Sequence, residues 1–173
     1  MYRKNHFRFY EFLVLLCCFV FNCPSVSARS YPFVLEQYYE IEQVRVAQQG
    51  LKYVKVFGIG KNADRAIEKA KQNAVAACIF YGVPATDTAG LIPPLCPGGV
   101  SDYEKNKSYF DSFFTSGEFL NYVDNVNSRY PSGENNVSVD KGRKVGIYAT
   151  VKYDLLRKLL EQDGIIRSLD SYF

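Results

Sequence analysis

Histidine, cysteine and paired carboxylates carry much of enzyme chemistry at neutral pH, and this chain arranges few of them usefully. Its only histidine is His6, in a basic stretch ahead of the apolar run Phe12 to Phe21. If that N-terminus is removed, no Ser-His-Asp or Cys-His pair and no histidine metal site can be built. Cys17, Cys18 and Cys23 leave with it, and the remaining Cys78 and Cys96 are too few for a zinc site. We therefore expect no catalytic residue of these kinds, no metal and no cofactor.

Gly58-Ile59-Gly60-Lys61, between a strand pattern and a helix pattern, invites comparison with phosphate-binding loops. The spacing fails. A Walker loop needs glycine five positions before the Gly-Lys pair and Ser or Thr after it, and here Lys55 and Asn62 occupy those places. A dinucleotide fingerprint finds only Ala63 for its third small residue. A turn made by a glycine pair is the reading preferred here.

Among the carboxylates, Glu40 and Glu42 share a strand face. They suit a general acid/base pair, or a solvated edge. Asp102 with Glu104, and Glu134 near Asp140, sit in expected loops, but no segment has EF-hand spacing. Tyr103, Tyr109, Phe110, Phe113, Phe114, Phe119 and Tyr122 are denser than one core helix needs. They form either a second small core or an aromatic patch for a partner.

The elements that must position these groups are organised around Lys52 to Pro84. Leu51 to Gly58 alternates as a strand, with Val54 and Val56 on one face. Asn62 is an N-cap and Asp64 suits the first turn of a helix. Ala63, Ala66, Ile67, Ala70, Ala74, Ala77 and Cys78 recur at helical spacing, and AVAACIFYG is apolar all round. Small alanines imply close approach to a sheet. Gly82 and Pro84 end the helix.

Before it, Gln37 to Ala47 reads as a strand with Tyr39 and Ile41 on one face. A one-residue shift near Gln43 suggests a β-bulge, and Gln48-Gln49-Gly50 a turn. After it, Ala85 to Asn106 is a long Pro/Gly loop packed on the domain by LIPPLCP. Ser108 to Val123 reads as two short helices broken at Ser116-Gly117, and Tyr130 to Asn136 as a loop. Val137 to Asp140 and Arg143 to Lys152 form a second hairpin. Asp154 is expected to cap a last helix carrying Leu155, Leu156, Leu159 and Leu160, closed by Gly164. The expected class is α+β: about four antiparallel strands with two main helices on one face.

Basic Arg3, Lys4 and Arg8, the apolar run and Val26-Ser27-Ala28 make residues 1–28 a secretory signal cleaved after Ala28. A retained anchor is the alternative. No small residue precedes a cysteine as lipidation requires. Residues 29–173 then form one domain in the periplasm or at the cell surface. Losing Arg3, Lys4 and Arg8 against Glu11 lowers the formal net charge from +3 to about +1, which makes no electrostatic case for nucleic acid or an anionic membrane. Export permits a disulfide, so Cys78 and Cys96 are expected to be bonded or close neighbours. A buried free Cys78 is the other reading.

Val56 to Pro84 resembles small envelope domains of the LPP20 and FlgT-like type: a strand ending in a G-x-G-like turn (Gly58, Gly60), then a helix with Ala63, Ala66, Ala70, Ala74 and Ala77. AVAACIFYGVP and YFDSFFTSGEFLNYV also resemble an uncharacterised exported family of Bacteroidetes-type bacteria. The resemblance implies a non-enzymatic accessory domain within an envelope assembly, such as a secretion, flagellar or conjugative apparatus. It carries over no catalytic residue. The expected function is binding of an envelope protein partner. A solute- or glycan-binding module using Ala85 to Asn106, and a hydrolase using Glu40 and Glu42, are the alternatives. With the core faces of hairpins and long helices committed to the sheet, the interface is expected at Phe113, Phe114 and Phe119, with Tyr109 and Tyr122 near its rim.

Overall fold

The computed structural model describes residues 30–126, 131–140 and 142–168. The expected signal, residues 1–28, lies outside them, as do Tyr130 and Lys141 of the expected loop and hairpin.

Strand β1 (Ile41–Arg45) returns antiparallel as β2 (Lys52–Gly60). The turn between them closes where the Leu51 N–H donates to the Gln48 carbonyl at 3.0 Å, with Gly50 at φ +78°. Register runs from Ile41 opposite Val56 to Gln43 opposite Val54, then slips between Gln43 and Arg45. That slip is the bulge implied by the broken alternation. β2 pairs along its whole length with the last strand, β5 (Gly142–Val151), from Lys52 opposite Val151 to Gly60 opposite Arg143.

The far edge of β5 is shared. β4 (Asn136–Val139) borders Gly142 to Val145, and the short β3 (Val123–Asn125) borders Ala149 to Val151. The sheet is therefore antiparallel and four strands wide, and the fold is α+β. β1 forms the opposite edge. The Thr86 and Thr88 hydroxyls donate to the Gln43 and Val44 carbonyls at 3.1 and 2.9 Å, occupying acceptors that an open edge strand would offer to another chain.

Helix α1 (Ala63–Phe80) crosses the inner face of the sheet on Ala66, Ala70, Ala74 and Ala77, all fully buried. Asn62 caps it as expected, its side-chain oxygen accepting from the Arg65 N–H at 2.9 Å. The glycines before it do something other than turn the chain. β2 continues through Gly58 and Gly60. A Cβ on Gly58 would stand 2.3 Å from the Ala70 nitrogen and 2.4 Å from the Ala66 oxygen, and one on Gly60 2.5 Å from the Ala66 nitrogen. The two glycines remove side chains where the helix backbone meets the strand. An alternating strand pattern cannot distinguish a glycine that bends the chain from one that admits a neighbour.

Residues 83–99 pack against the end of α1, burying Val83, Ile92, Leu95 and Cys96. The Leu95 and Cys96 N–H groups donate to the Cys78 and Ile79 carbonyls at 3.0 and 2.7 Å, satisfying the helix's last acceptors. Gly82, at φ +73°, turns the chain. The end of the expected loop is instead helix α2 (Val100–Lys105), begun where the Asp102 carboxylate accepts the Gly98 N–H at 2.7 Å. Helix α3 (Lys107–Thr115) and a 3-10 turn (Glu118–Tyr122) follow, broken at Ser116-Gly117 with Gly117 at φ +88°.

Helix α4 (Tyr153–Gln162) adds Leu156 and Leu160 to the same core. Asp154 is not its cap. It lies within the first turn, and its N–H donates to the Gly50 carbonyl at 3.1 Å. Gly164, at φ +71°, closes the helix as Ile165 N–H reaches back to the Leu160 carbonyl. Among the described residues no helix is long and apolar enough to cross a membrane.

Candidate functional site

The expected aromatic interface is buried. Phe114 and Phe119 are fully inaccessible and Phe113 nearly so. Phe33 stacks on Phe114 at 3.9 Å between ring centroids, Tyr31 meets Phe119 edge-on at 5.6 Å, and Phe110 meets Phe80 at 4.8 Å. Tyr109 and Tyr122 are half-buried, and the Tyr109 hydroxyl donates to Asp163 at 2.6 Å. Phe113, Phe114 and Phe119 are core: Tyr31 and Phe33, from a segment ahead of β1, lie against Phe119 and Phe114, and Phe113 packs among Tyr109, Phe114 and Tyr122. The signal for this was present in Tyr31, Phe33 and Leu35, alternating apolar residues in a segment with no regular structure.

The disulfide also fails. Cys78 and Cys96 are free thiols, both buried. Their chain positions are neighbours, tied by the hydrogen bonds to Cys78 and Ile79, but the thiols meet different charges. Cys78 feels Lys52, and Cys96 feels Asp102. Burial pushes both thiols up to about 12 from an ordinary 9.0. They are therefore protonated and inert in the folded protein at neutral pH. In protein prepared without residues 1–28, so that Cys78 and Cys96 are the cysteines present, Ellman's reagent is expected to find no fast-reacting thiol in the native state and two after unfolding without reductant. Because unfolding restores the lower value, alkaline pH favours the unfolded chain. This part of stability is intact below pH 9 and is lost as pH rises towards 12.

The carboxylates do not converge. On the outer sheet face Glu40 pairs with Lys144, and Glu42 with Lys55 at 3.7 Å. Asp102 accepts from Gly98 and faces Lys105 at 3.5 Å. Among the described residues no three His, Cys, Asp or Glu side chains group as metal ligands. The same outer face carries Tyr53 stacked beside Tyr148 at 6.0 Å, and the Phe57 ring lies over Gly146. Arg45 sits over Tyr53, and Lys144 and Lys55 over Phe57, at 4.8, 4.8 and 5.4 Å. Each lies within cation–π range of its ring.

One groove does expose apolar side chains together. Its volume is about 380 Å³, and it runs between residues 33–37, the end of α1, α2 and the start of α3. Val34 is 71% exposed, Val100 51% and Tyr81 38%, and all three line it. Its polar part is a fixed triad. The Tyr103 hydroxyl donates to Asp111 at 2.6 Å and accepts from Lys107 at 2.7 Å, while Lys107 lies 3.5 Å from Asp111. Burial, then the bond to Asp111, raises the Tyr103 pKa. Tyr103 thus remains a neutral phenol bridging two charges, which suits a rigid wall better than a base. Tyr81 is held by its hydroxyl, which donates to the Glu36 carbonyl at 2.8 Å. Sequence reasoning missed this groove because its residues come from four separate segments.

No family model, no curated protein and no solved structure matches the chain.

Proposed function

We propose that the chain is an exported, non-enzymatic accessory protein of the cell envelope that binds a partner protein through the groove of Val34, Tyr81 and Val100. The observation that carries this is convergence: three exposed apolar side chains from three separate segments line one depression. Isolated exposed apolar residues are ordinary, whereas grouped ones around a fixed polar network are typical of interface centres. The leader-like residues 1–28 and the resemblance of Val56 to Pro84 to envelope domains support the setting. The ion pairing of Glu40 and Glu42 with lysines on an open sheet face favours binding over hydrolysis.

The test is site-specific photo-crosslinking in the exporting cell. A photoreactive residue at position 34 is expected to give one discrete protein adduct, and the same residue at Leu155, exposed on α4, none. Val100→Glu is expected to weaken that adduct about tenfold, the effect of roughly 1.4 kcal/mol, with the melting temperature unchanged. No adduct at position 34, an equal adduct at 155, or indifference to Val100→Glu would remove the groove from consideration.

A further inference from the structure

A second cleft, of about 530 Å³, lies between residues 30–32, the end of β2 and the first half of α1. Its walls include Tyr31, Pro32 and Ile59, and Ile59 is 53% exposed there. Lys61, Arg65 and Lys69 line it against one lining carboxylate, Glu68.

The donors in this cleft outnumber the acceptors that meet them. Lysine has three N–H donors and arginine five in its guanidinium. Lys69 uses one on Glu36 at 2.9 Å and one on the side-chain oxygen of Gln72 at 3.2 Å, which leaves one. Those two bonds also hold the ammonium in place, and Gln72 is itself buried and bonded onward to the Pro32 carbonyl at 3.4 Å. Arg65 spends one guanidinium N–H on Glu68 at 3.1 Å. Lys61 has no side-chain partner among the described residues. An occupant that satisfies these donors must be rich in acceptors, and one that covers Ile59, Pro32 and Tyr31 must be apolar elsewhere. The volume falls within the range of small-molecule sites, roughly 300–1,000 Å³.

We propose that this cleft binds a small organic anion, an apolar body with a carboxylate or sulfonate-like head. Lys69 supplies a positioned charge, Lys61 and Arg65 the remaining donors, and Ile59 the apolar contact. This site is separate from the partner groove.

The experiment is a fluorescence titration of the full exported protein with two dyes of similar ring system: anionic anilinonaphthalene sulfonate and neutral phenylnaphthylamine. Dodecanoate is the competitor. The sulfonate is expected to bind more tightly than the neutral dye and to be displaced by dodecanoate. The double variant Lys61→Gln/Arg65→Gln is expected to weaken sulfonate binding about tenfold, as loss of charge-assisted hydrogen bonds should, and to leave the neutral dye unchanged. Ile59→Ser is expected to weaken both dyes, and Val100→Glu neither. Unaltered circular dichroism and melting temperature establish that the variants fold. Equal affinity for the two dyes, or sulfonate affinity unchanged in the double variant, would overturn the proposal. A loss with Val100→Glu would assign the dye to the other groove and overturn it equally.

Discussion

Phe114→Ala is expected to destabilise the protein by about 3–5 kcal/mol, the range for truncating a buried phenylalanine. Phe114 is fully buried, stacked on Phe33 at 3.9 Å and packed against Phe113 and Phe119 at 5.1 and 5.8 Å. Removing its ring leaves a cavity between α3, the 3-10 turn and residues 31–35, none of which can collapse without moving the others. At roughly 2–4 °C per kcal/mol for a chain of this size, the melting temperature should fall by about 10 °C. Urea unfolding followed by circular dichroism measures it. The outcome that would return Phe114 to the surface is a loss below about 0.5 kcal/mol, the ordinary value for surface substitutions, with partner binding impaired.

Gly58→Ala is expected to cost about 3 kcal/mol or more, although it adds one methyl group. That methyl would sit 2.3 Å from the Ala70 nitrogen and 2.4 Å from the Ala66 oxygen, both backbone atoms of α1. No rotamer change relieves a clash between two backbones. The helix must move off the sheet, and with it the contact of Ala66 and Ala70 on β2. Overpacking typically costs about 1–3 kcal/mol, and a clash with backbone belongs at or above the top of that range. Gly90→Ala is the control, since a Cβ there meets nothing within 4 Å and its stability should stay within about 0.5 kcal/mol of the parent. If both variants unfold at the same urea concentration, α1 does not lie on Gly58 as described.

The two experiments share a physical theme, which is how closely this fold packs elements with small or absent side chains. The central helix uses alanine against glycine. Around it, larger rings fill the space that the alanines leave on the other sides, with Phe80 against Phe110 and Tyr103 at 4.8 and 5.7 Å. The aromatic abundance that suggested a sticky surface is the filling of that second layer. The binding surface we propose lies instead at Val34, Tyr81 and Val100, which stay exposed outside that layer.

Periodicity, caps and turn residues are local properties, and they were legible along the chain. The β-bulge near Gln43, the Asn62 cap, the Gln48-Gly50 turn, the break at Ser116-Gly117 and the second hairpin each follow from a few adjacent residues, and so does the α+β class. Tertiary structure decided what local pattern leaves open. Gly58 and Gly60 have the same composition in a turn as in a strand crossed by a helix, and only the helix's position tells the two apart. Cys78 and Cys96 come close in the fold, where the Cys96 N–H donates to the Ile79 carbonyl, yet both remain free thiols, which sequence spacing does not decide. The burial of Phe114 and Phe119 depended on Phe33 and Tyr31, some eighty residues earlier along the chain. Contacts over such separations are selected by the energy of the whole core, so no window of sequence around either partner contains them.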